Sequence, residues 1–254
     1  MDVNELLHVA TFAGKIMLES GGETYRSEEI IWRICKIYGA EEAESFVTPT
    51  GIMVSVCHEN KTFSLIRRVS TRTVDLNKVD KVNDLSRNIL SRNLSVSDLK
   101  RELKLIDEGE RYSLTTNVII SALGAFCFVF LFNGTFRDGI AAFFIGLVIK
   151  IISIKFSELN INPFFINSIC AGITAIMAII FFKIGLSKNI DTTIIGSIML
   201  LVPGLAITNA IRDTISGDLL AGLTRAAEAF LVAISIAIGT GAVLSFWLNT
   251  FGGF

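Results

Sequence analysis

Apolar and polar positions alternate with two different rhythms along this chain. Near the start, Val3, Leu6, Leu7, Ala10, Ala13 and Met17 recur at helical spacing, and Gly21-Gly22 follows as a stop where a left-handed residue is needed. Thr24 is placed to cap a second helix, in which Ile30, Ile31, Ile34, Cys35 and Tyr38 share one face before Gly39 ends it. Three runs rich in β-branched and aromatic residues come next, Ala43 to Val47, Ile52 to Cys57 and Thr62 to Val69, separated by Thr48-Pro49-Thr50-Gly51 and by Glu59-Asn60-Lys61. They predict a small antiparallel sheet. A helix carrying Val79, Val82, Leu85 and Ile89 follows, then one opened by Ser95 or Ser97 and carrying Leu99, Leu103 and Ile106.

After residue 113 the pattern becomes continuously apolar. Leu114 to Phe132 is about nineteen uncharged residues, enough to cross roughly 30 Å of hydrocarbon as a helix. Phe136 to Phe156, Ile161 to Ile184, Thr192 to Ile211 and Leu223 to Trp247 predict four more crossings. The expected fold is an α-helical integral membrane protein of five transmembrane helices with an N-terminal cytoplasmic α+β domain. The expected domains are 1–111 and 112–254. In the last helix Ala229, Ala233, Ala237, Gly241 and Ser245 recur every fourth residue, a stripe expected to serve tight helix packing, with a substrate-lining face as the alternative. Asn117 and Asn167 are weaker candidates for the site, with a hydrogen bond between helices as the simpler role.

Charge sharpens the division. Residues 1–111 hold 16 of the 23 Lys and Arg and 18 of the 24 Asp and Glu. A net charge of −1 argues against general nucleic-acid affinity, which needs a basic excess. No secretory leader is expected at the start of the chain, because Asp2, Glu5 and Lys15 interrupt its first apolar stretch, so the N-terminus is expected in the cytoplasm. Lys100, Arg101, Lys104, Arg111, Lys150, Lys155, Arg212 and Arg225 then fall near inner helix ends, against Arg137, Lys183 and Lys188 near outer ones, which puts Phe254 outside. Cys35, Cys57, Cys127 and Cys170 are widely spaced and the only histidines are His8 and His58, so neither a disulfide framework, a metal site nor a cofactor is expected. Cys57-His58 are neighbours on a strand and point to opposite faces, which disfavours a nucleophile and base.

The candidate chemistry lies between residues 201 and 230. Pro203 and Gly204 predict a break in the fourth crossing. Beyond it Asn209, Arg212, Asp213 and Ser216 fall on one helical face. Arg212 can fork onto a carboxylate, Thr208 and Asn209 can hydrogen-bond an amino or hydroxyl group, and Asp213 can balance an ammonium. Asp218, Arg225 and Glu228 are candidates for a proton or charge relay, since charge at membrane depth costs at least ~2.5–3.5 kcal/mol and needs partners or water. The bland alternative is that Arg212-Asp213 and Arg225-Glu228 are local pairs holding a turn. Gly21 to Arg26, with Glu23, Thr24 and Arg26, sets backbone donors at a helix start, where it can serve as a corner or bind an anion or a membrane-domain loop. Thr48, Pro49, Thr50 and Gly51 form a tight turn or a docking element.

These motifs together resemble the threonine/serine exporter (ThrE) family and, within it, the shorter YjjP-like proteins. The resemblance rests on Gly22-Glu23-Thr24-Tyr25-Arg26 with Glu28 and Glu29, on Phe46-Val47-Thr48-Pro49-Thr50-Gly51, and on Pro203-Gly204 through Thr208-Asn209-Ala210-Ile211-Arg212-Asp213, Ser216-Gly217-Asp218, Arg225 and Glu228. It implies proton-driven export of threonine and serine, or of succinate for split members that work with a small YjjB-like membrane protein. With five crossings, the second membrane half is expected from a YjjB-like subunit or from self-association. A membrane-anchored ligand sensor is the alternative; an enzyme is disfavoured.

Overall fold

A computed structural model describes residues 2–109 and 112–252. Arg111 and Phe254, used in the orientation argument, lie outside the described residues. The chain forms two compact units, Met1–Glu110 with Gly204–Glu228 and Arg111–Pro203 with Ala229–Phe254. The division expected at 111/112 rests on where a bilayer begins, which compactness does not measure. What compactness adds is that residues 204–228 fold with the N-terminal part.

The first unit is built on α1 (Val3–Glu19), with α2 (Thr24–Ile37), β1 (Glu42–Thr48), β2 (Gly51–His58), β3 (Lys61–Arg68), α3 (Leu76–Arg87) and α4 (Val96–Asp107). Leu6, Ile16, Met17 and Leu18 are fully buried on several sides of α1, so this helix is the centre of the core rather than its edge. Each such Leu or Ile contributes roughly 1.5–3 kcal/mol by burial. The sheet is antiparallel in the order β1-β2-β3. Val47, Ile52, Val54 and Val56 join the core, while Phe46, Met53 and Ile66 form an in-register apolar row on the open face. Glu59 and Asn60 have φ of 51° and 57°, the left-handed pair that lets a two-residue turn follow the strand twist. Ser95, not Ser97, caps α4 through a reciprocal capping box with Asp98.

In the second unit α5 (Leu114–Leu131), α6 (Phe136–Glu158) and α7 (Pro163–Lys183) are continuous helices, and α10 runs Leu219–Phe251, its part from 229 onward belonging here. These four are long and apolar enough to cross a membrane. The expected crossing from Thr192 to Ile211 is not one helix. It is divided into α8 (Ile190–Ile198) and α9 (Gly204–Ile215), of nine and twelve residues. Pro203 gives the reason, because its ring would meet the carbonyl four residues back, at Met199, where α8 ends. The break therefore starts before Pro203 and occupies Met199 to Pro203.

Small residues set the packing within this unit. A Cβ on Gly146 of α6 would lie 2.9 Å from the Cα of Ala122 on α5, and one on Gly196 of α8 would lie 3.0 Å from Val129 N. The four-residue stripe on α10 is not the face that packs within this unit. Ala229 is buried, but Ala233, Ala237, Gly241 and Ser245 are exposed, and α10 meets α7 through Val232, Ile236 and Gly239. Gly239 permits this approach, since a Cβ there would lie 2.8 Å from the Ser168 carbonyl carbon. Asn117 bonds to the Tyr112 carbonyl near its own helix start rather than to another helix.

Asp138 opens α6 and is fully buried. Its Oδ2 accepts from Thr135 N and Oγ1 at 2.8 and 2.7 Å, and its Oδ1 from Ser187 Oγ, Lys188 N and Asn189 N at 2.9, 2.6 and 2.9 Å. One carboxylate thereby caps α6 and fastens the α7–α8 loop.

Candidate functional site

The corner between α1 and α2 organises the site. Gly21 (φ 92°) takes the left-handed position after α1; Gly22 N donates to Met17 O at 2.9 Å and Gly21 N to Leu18 O at 3.3 Å. This closes the end of α1 and leaves the Gly21 and Gly22 carbonyls to receive other donors. Asn209 Nδ2 donates to Gly21 O at 2.8 Å, and Arg225 Nη2 to Gly22 O at 2.9 Å.

Thr24 was expected to cap α2, but Glu23 is the capping position and makes no side-chain cap bond. The Thr24 side chain has another partner. Its N and Oγ1 donate to Asp213 Oδ1 and Oδ2, both at 3.0 Å. A helix N-terminus attracts an anion through its free N–H groups and dipole, and here the anion is a carboxylate of the same chain. Arg225 Nε lies 3.0 Å from Asp213 Oδ2, an ion pair whose N–H is not aligned for a hydrogen bond. Asp213 is 0% exposed and Arg225 6%, so the pair is withdrawn from water.

Two more exposed pairs flank this buried one. Glu23 accepts from Arg212 Nη1 at 2.5 Å and lies 3.0 Å from Arg26 Nε. Burial alone would raise the Glu23 carboxyl, but a hydrogen bond from its own backbone, the Arg212 hydrogen bond and the charges of Arg26 and Arg212 hold it below the ordinary range. Glu228 accepts from both Nη atoms of Arg72, at 2.9 and 3.0 Å. Arg72 is brought there because Thr73 N and Asp75 N donate to Glu19 O and Ser20 O, laying residues 69–75 across the end of α1. The local pairs Arg212-Asp213 and Arg225-Glu228 do not form. Arg212, Asp213 and Glu228 find partners more than 100 positions away in the chain, while Arg225 pairs with Asp213, twelve positions before it, and reaches back to the Gly22 carbonyl.

Among the expected substrate residues, Thr208 and Arg212 are exposed, whereas Asn209 and Asp213 are buried and committed to the α1–α2 corner. Asp218 is half-buried in the α9–α10 link, and burial, then the Asp213 charge, raises its carboxyl. Thr48 to Gly51 is the β1–β2 hairpin turn, with Thr48 Oγ1 donating to Gly51 O at 3.3 Å and Val69 N to Thr50 O at 3.0 Å. Burial pushes the Cys35 thiol up to about 12, which leaves it an inert core residue. In the second unit a groove lined by Leu123, Phe126, Ile140, Phe143 and Phe144 is wholly apolar, with nothing to orient a polar metabolite.

Two contributors carry no signal in the sequence, Arg72, from an irregular linker, and Gly222; Glu28, part of the motif after Gly22 but given no role there, has an Oε1 that accepts from Val47 N at 2.8 Å. A Cβ on Gly222 would lie 2.9 Å from Ala210 O and 3.0 Å from Thr214 N, so only glycine lets the start of α10 lie against α9. Gly222→Ala is expected to destabilise the first unit by about 1–3 kcal/mol through overpacking. The comparison to make is its thermal midpoint against that of Gly217→Ala, whose site has no neighbour within 4 Å and tests only the cost of its φ of 97°.

Known proteins bear on this arrangement. Residues 8–247 match the ThrE family model, described as "Putative threonine/serine exporter". A "Probable succinate transporter subunit YjjP" of Klebsiella aerogenes is 23% identical over 91% of this chain and 90% of its own length. Its counterpart in Escherichia coli K12 is 22% identical over 92% and 91%. A "Probable threonine/serine exporter" of Mycobacterium tuberculosis is 21% identical over 94% of this chain but only 46% of its own length. No solved structure matches at a significant level. With four helices apolar enough to span a bilayer, this is a multi-pass membrane protein, and by its match over most of its length the chain belongs to the threonine/serine exporter family.

Proposed function

We propose that this chain is a subunit of a proton-driven exporter of small metabolites, threonine and serine or succinate-type acids, with its N-terminus in the cytoplasm. The observation that carries the reading is α9. A broken apolar segment leads into a helix that presents Thr208 and Arg212, four residues apart on one face, to solvent while its other polar residues anchor it. A guanidinium forks onto a carboxylate, which amino acids and dicarboxylates both carry. In this reading Thr208 and Arg212 touch substrate, Asn209 and Asp213 hold α9, and Asp218, Arg225 and Glu228 relay charge.

Parity supports five crossings. Residues 219–228 share a compact unit with the N-terminal part, and in this reading both lie on one side of the bilayer. Three continuous crossings, α5 to α7, leave residue 184 on the other side. Residues 184–218 must then return, and the interrupted α8–α9 segment is the proposed fourth crossing. The relatives named as subunits, and the longer relative of which this chain matches about half, favour a second membrane component, a YjjB-like protein or a second copy.

The test is efflux of preloaded threonine, serine and succinate from vesicles containing the chain, with and without a YjjB-like protein, under an imposed pH gradient. Efflux that needs the partner and the gradient is expected; none in either case, with the protein correctly inserted, would put a ligand sensor in its place. Arg212→Lys is expected to raise KM for the transported substrate about tenfold or more with little loss of stability. Lysine can still pair with Glu23 from this half-exposed position, but it cannot fork. An unchanged KM would remove Arg212 from the substrate site.

A further inference from the structure

Two guanidinium groups converge on Glu23 and leave most of their donors unused. Glu23 Oε1 accepts from Arg212 Nη1 at 2.5 Å, Glu23 Oε2 lies 3.0 Å from Arg26 Nε, and Arg26 Nη2 reaches Oε1 at 3.5 Å. Arg26 Nε is buried and makes no aligned hydrogen bond. Among the described residues Arg212 uses only Nη1, and only on Glu23, although a guanidinium carries donors on all its nitrogens. Access to the three side chains differs: Glu23 is 7% exposed, Arg26 31% and Arg212 54%. An arriving anion therefore meets Arg212 first. The other ion pairs of this corner lack these features. Asp213 is fully buried and also takes both Thr24 donors, and Glu228 already accepts from both Nη atoms of Arg72.

We propose that Glu23 is an internal stand-in for a substrate carboxylate: the arriving carboxylate takes Arg212 from it, and Glu23 stays neutralised by Arg26. The proposal rests on the exporter reading above, in which Arg212 touches substrate. The two arginines are held independently of each other. Arg26 stands on the first turn of α2, three residues on from Glu23, with its guanidinium 5.9 Å from the centre of the Tyr25 ring. Arg212 comes from α9, which Asn209 fastens to Gly21 O and Asp213 to Thr24 whether or not Arg212 holds Glu23. The Glu23–Arg212 pair can thus open while α9 keeps its place on the corner. Nor does α2 need the Glu23 side chain to begin, since it makes no cap bond.

The exchange is of one carboxylate for another, with no bond made or broken. A free carboxylate can accept from both Nη atoms of Arg212 in a bidentate fork, which Glu23, reaching Nη1 alone, does not form. That geometry favours the incoming group. Arg26, 3.0 Å from Glu23, limits what it costs to release Glu23; without it the freed carboxylate would be a buried lone charge beside the substrate's own. Arg26 is therefore a positioning residue that acts through Glu23, and Glu23 sets how tightly Arg212 binds.

Equilibrium binding of radiolabelled serine and succinate to the whole protein in lipid nanodiscs tests this. Glu23→Gln is expected to tighten binding by about fivefold, because a neutral amide competes less well for Arg212. Arg26→Gln is expected to weaken binding by a similar factor, and the double variant to bind like Glu23→Gln, since Arg26 acts only through Glu23. A Glu23 that merely braced the corner would give the opposite sign or no change in Glu23→Gln, and either result overturns the proposal. So does a double variant as weak as Arg26→Gln, which would put Arg26 on the substrate itself, and so does binding of neither probe to any of these proteins. Were Glu23→Gln not to fold, unchanged binding in Arg26→Gln would overturn it equally. Efflux is read separately: binding that shifts as expected in a protein that moves no substrate would remove the exporter reading and leave the exchange standing.

Discussion

Asp213→Ala is expected to lower the stability of the first unit by about 3–5 kcal/mol, the cost of leaving a buried charge without its partner. Arg225 would keep only the Gly22 carbonyl, and Thr24 N and Oγ1 would lose their acceptor. At about 2–4 °C per kcal/mol for a chain of this size, the thermal midpoint in detergent should fall by roughly 6–20 °C. Arg225→Ala should be costly for the same reason. The double variant should cost clearly less than the sum of the two, because the second change removes the charge that the first left stranded. Additive losses would mean that the two side chains are not energetically coupled, despite the 3.0 Å approach. Exposed Glu228–Arg72 provides the contrast: a pair still reached by water is worth roughly 1 kcal/mol or less.

Asp138→Ala should be comparably severe in the second unit, about 3 kcal/mol or more, since five donors converge on that carboxylate and hydrogen bonds to charged groups contribute about 1.5–3 kcal/mol each. Asp138→Asn separates the two jobs. The asparagine oxygen can still accept from Ser187, Lys188 and Asn189, while its amide nitrogen would face Thr135 N, donor against donor. Only the cap of α6 should then be lost, at about 0.5–2 kcal/mol. Thermal midpoints of the two variants check this, and equal losses would show that the loop bonds contribute nothing measurable.

Most of the regular structure was legible from spacing. The 3.6-residue recurrence from Val3 to Met17 and the alternation from Gly51 to His58 are local consequences of which faces must be buried. The apolar runs that became α5, α6 and α7 were long enough to settle their own conformation. Pro203 announced the break, because a missing N–H and a ring clash act within one turn. The site was legible only in its membership. Asn209, Arg212, Asp213, Arg225 and Glu228 stand out as polar residues among apolar ones, yet the pairing drawn from spacing, neighbour with neighbour, was replaced throughout. The small-residue stripe on α10 is, past Ala229, not the face that meets α7. Spacing shows that Ala233, Ala237, Gly241 and Ser245 share a face, not that α7 lies against Val232, Ile236 and Gly239 instead.

The sequence by itself determined the elements, the long apolar helices, the interruption at Pro203 and the family, since each depends on residues within a few turns or on motifs in a fixed order. Tertiary structure alone decided who neutralises whom. Asp213 belongs to the start of α2, Glu228 to Arg72 and Arg212 to Glu23, and Glu28 holds Val47 N. A charge is satisfied by whatever lies within about 4 Å in space, and that distance has no counterpart along the chain.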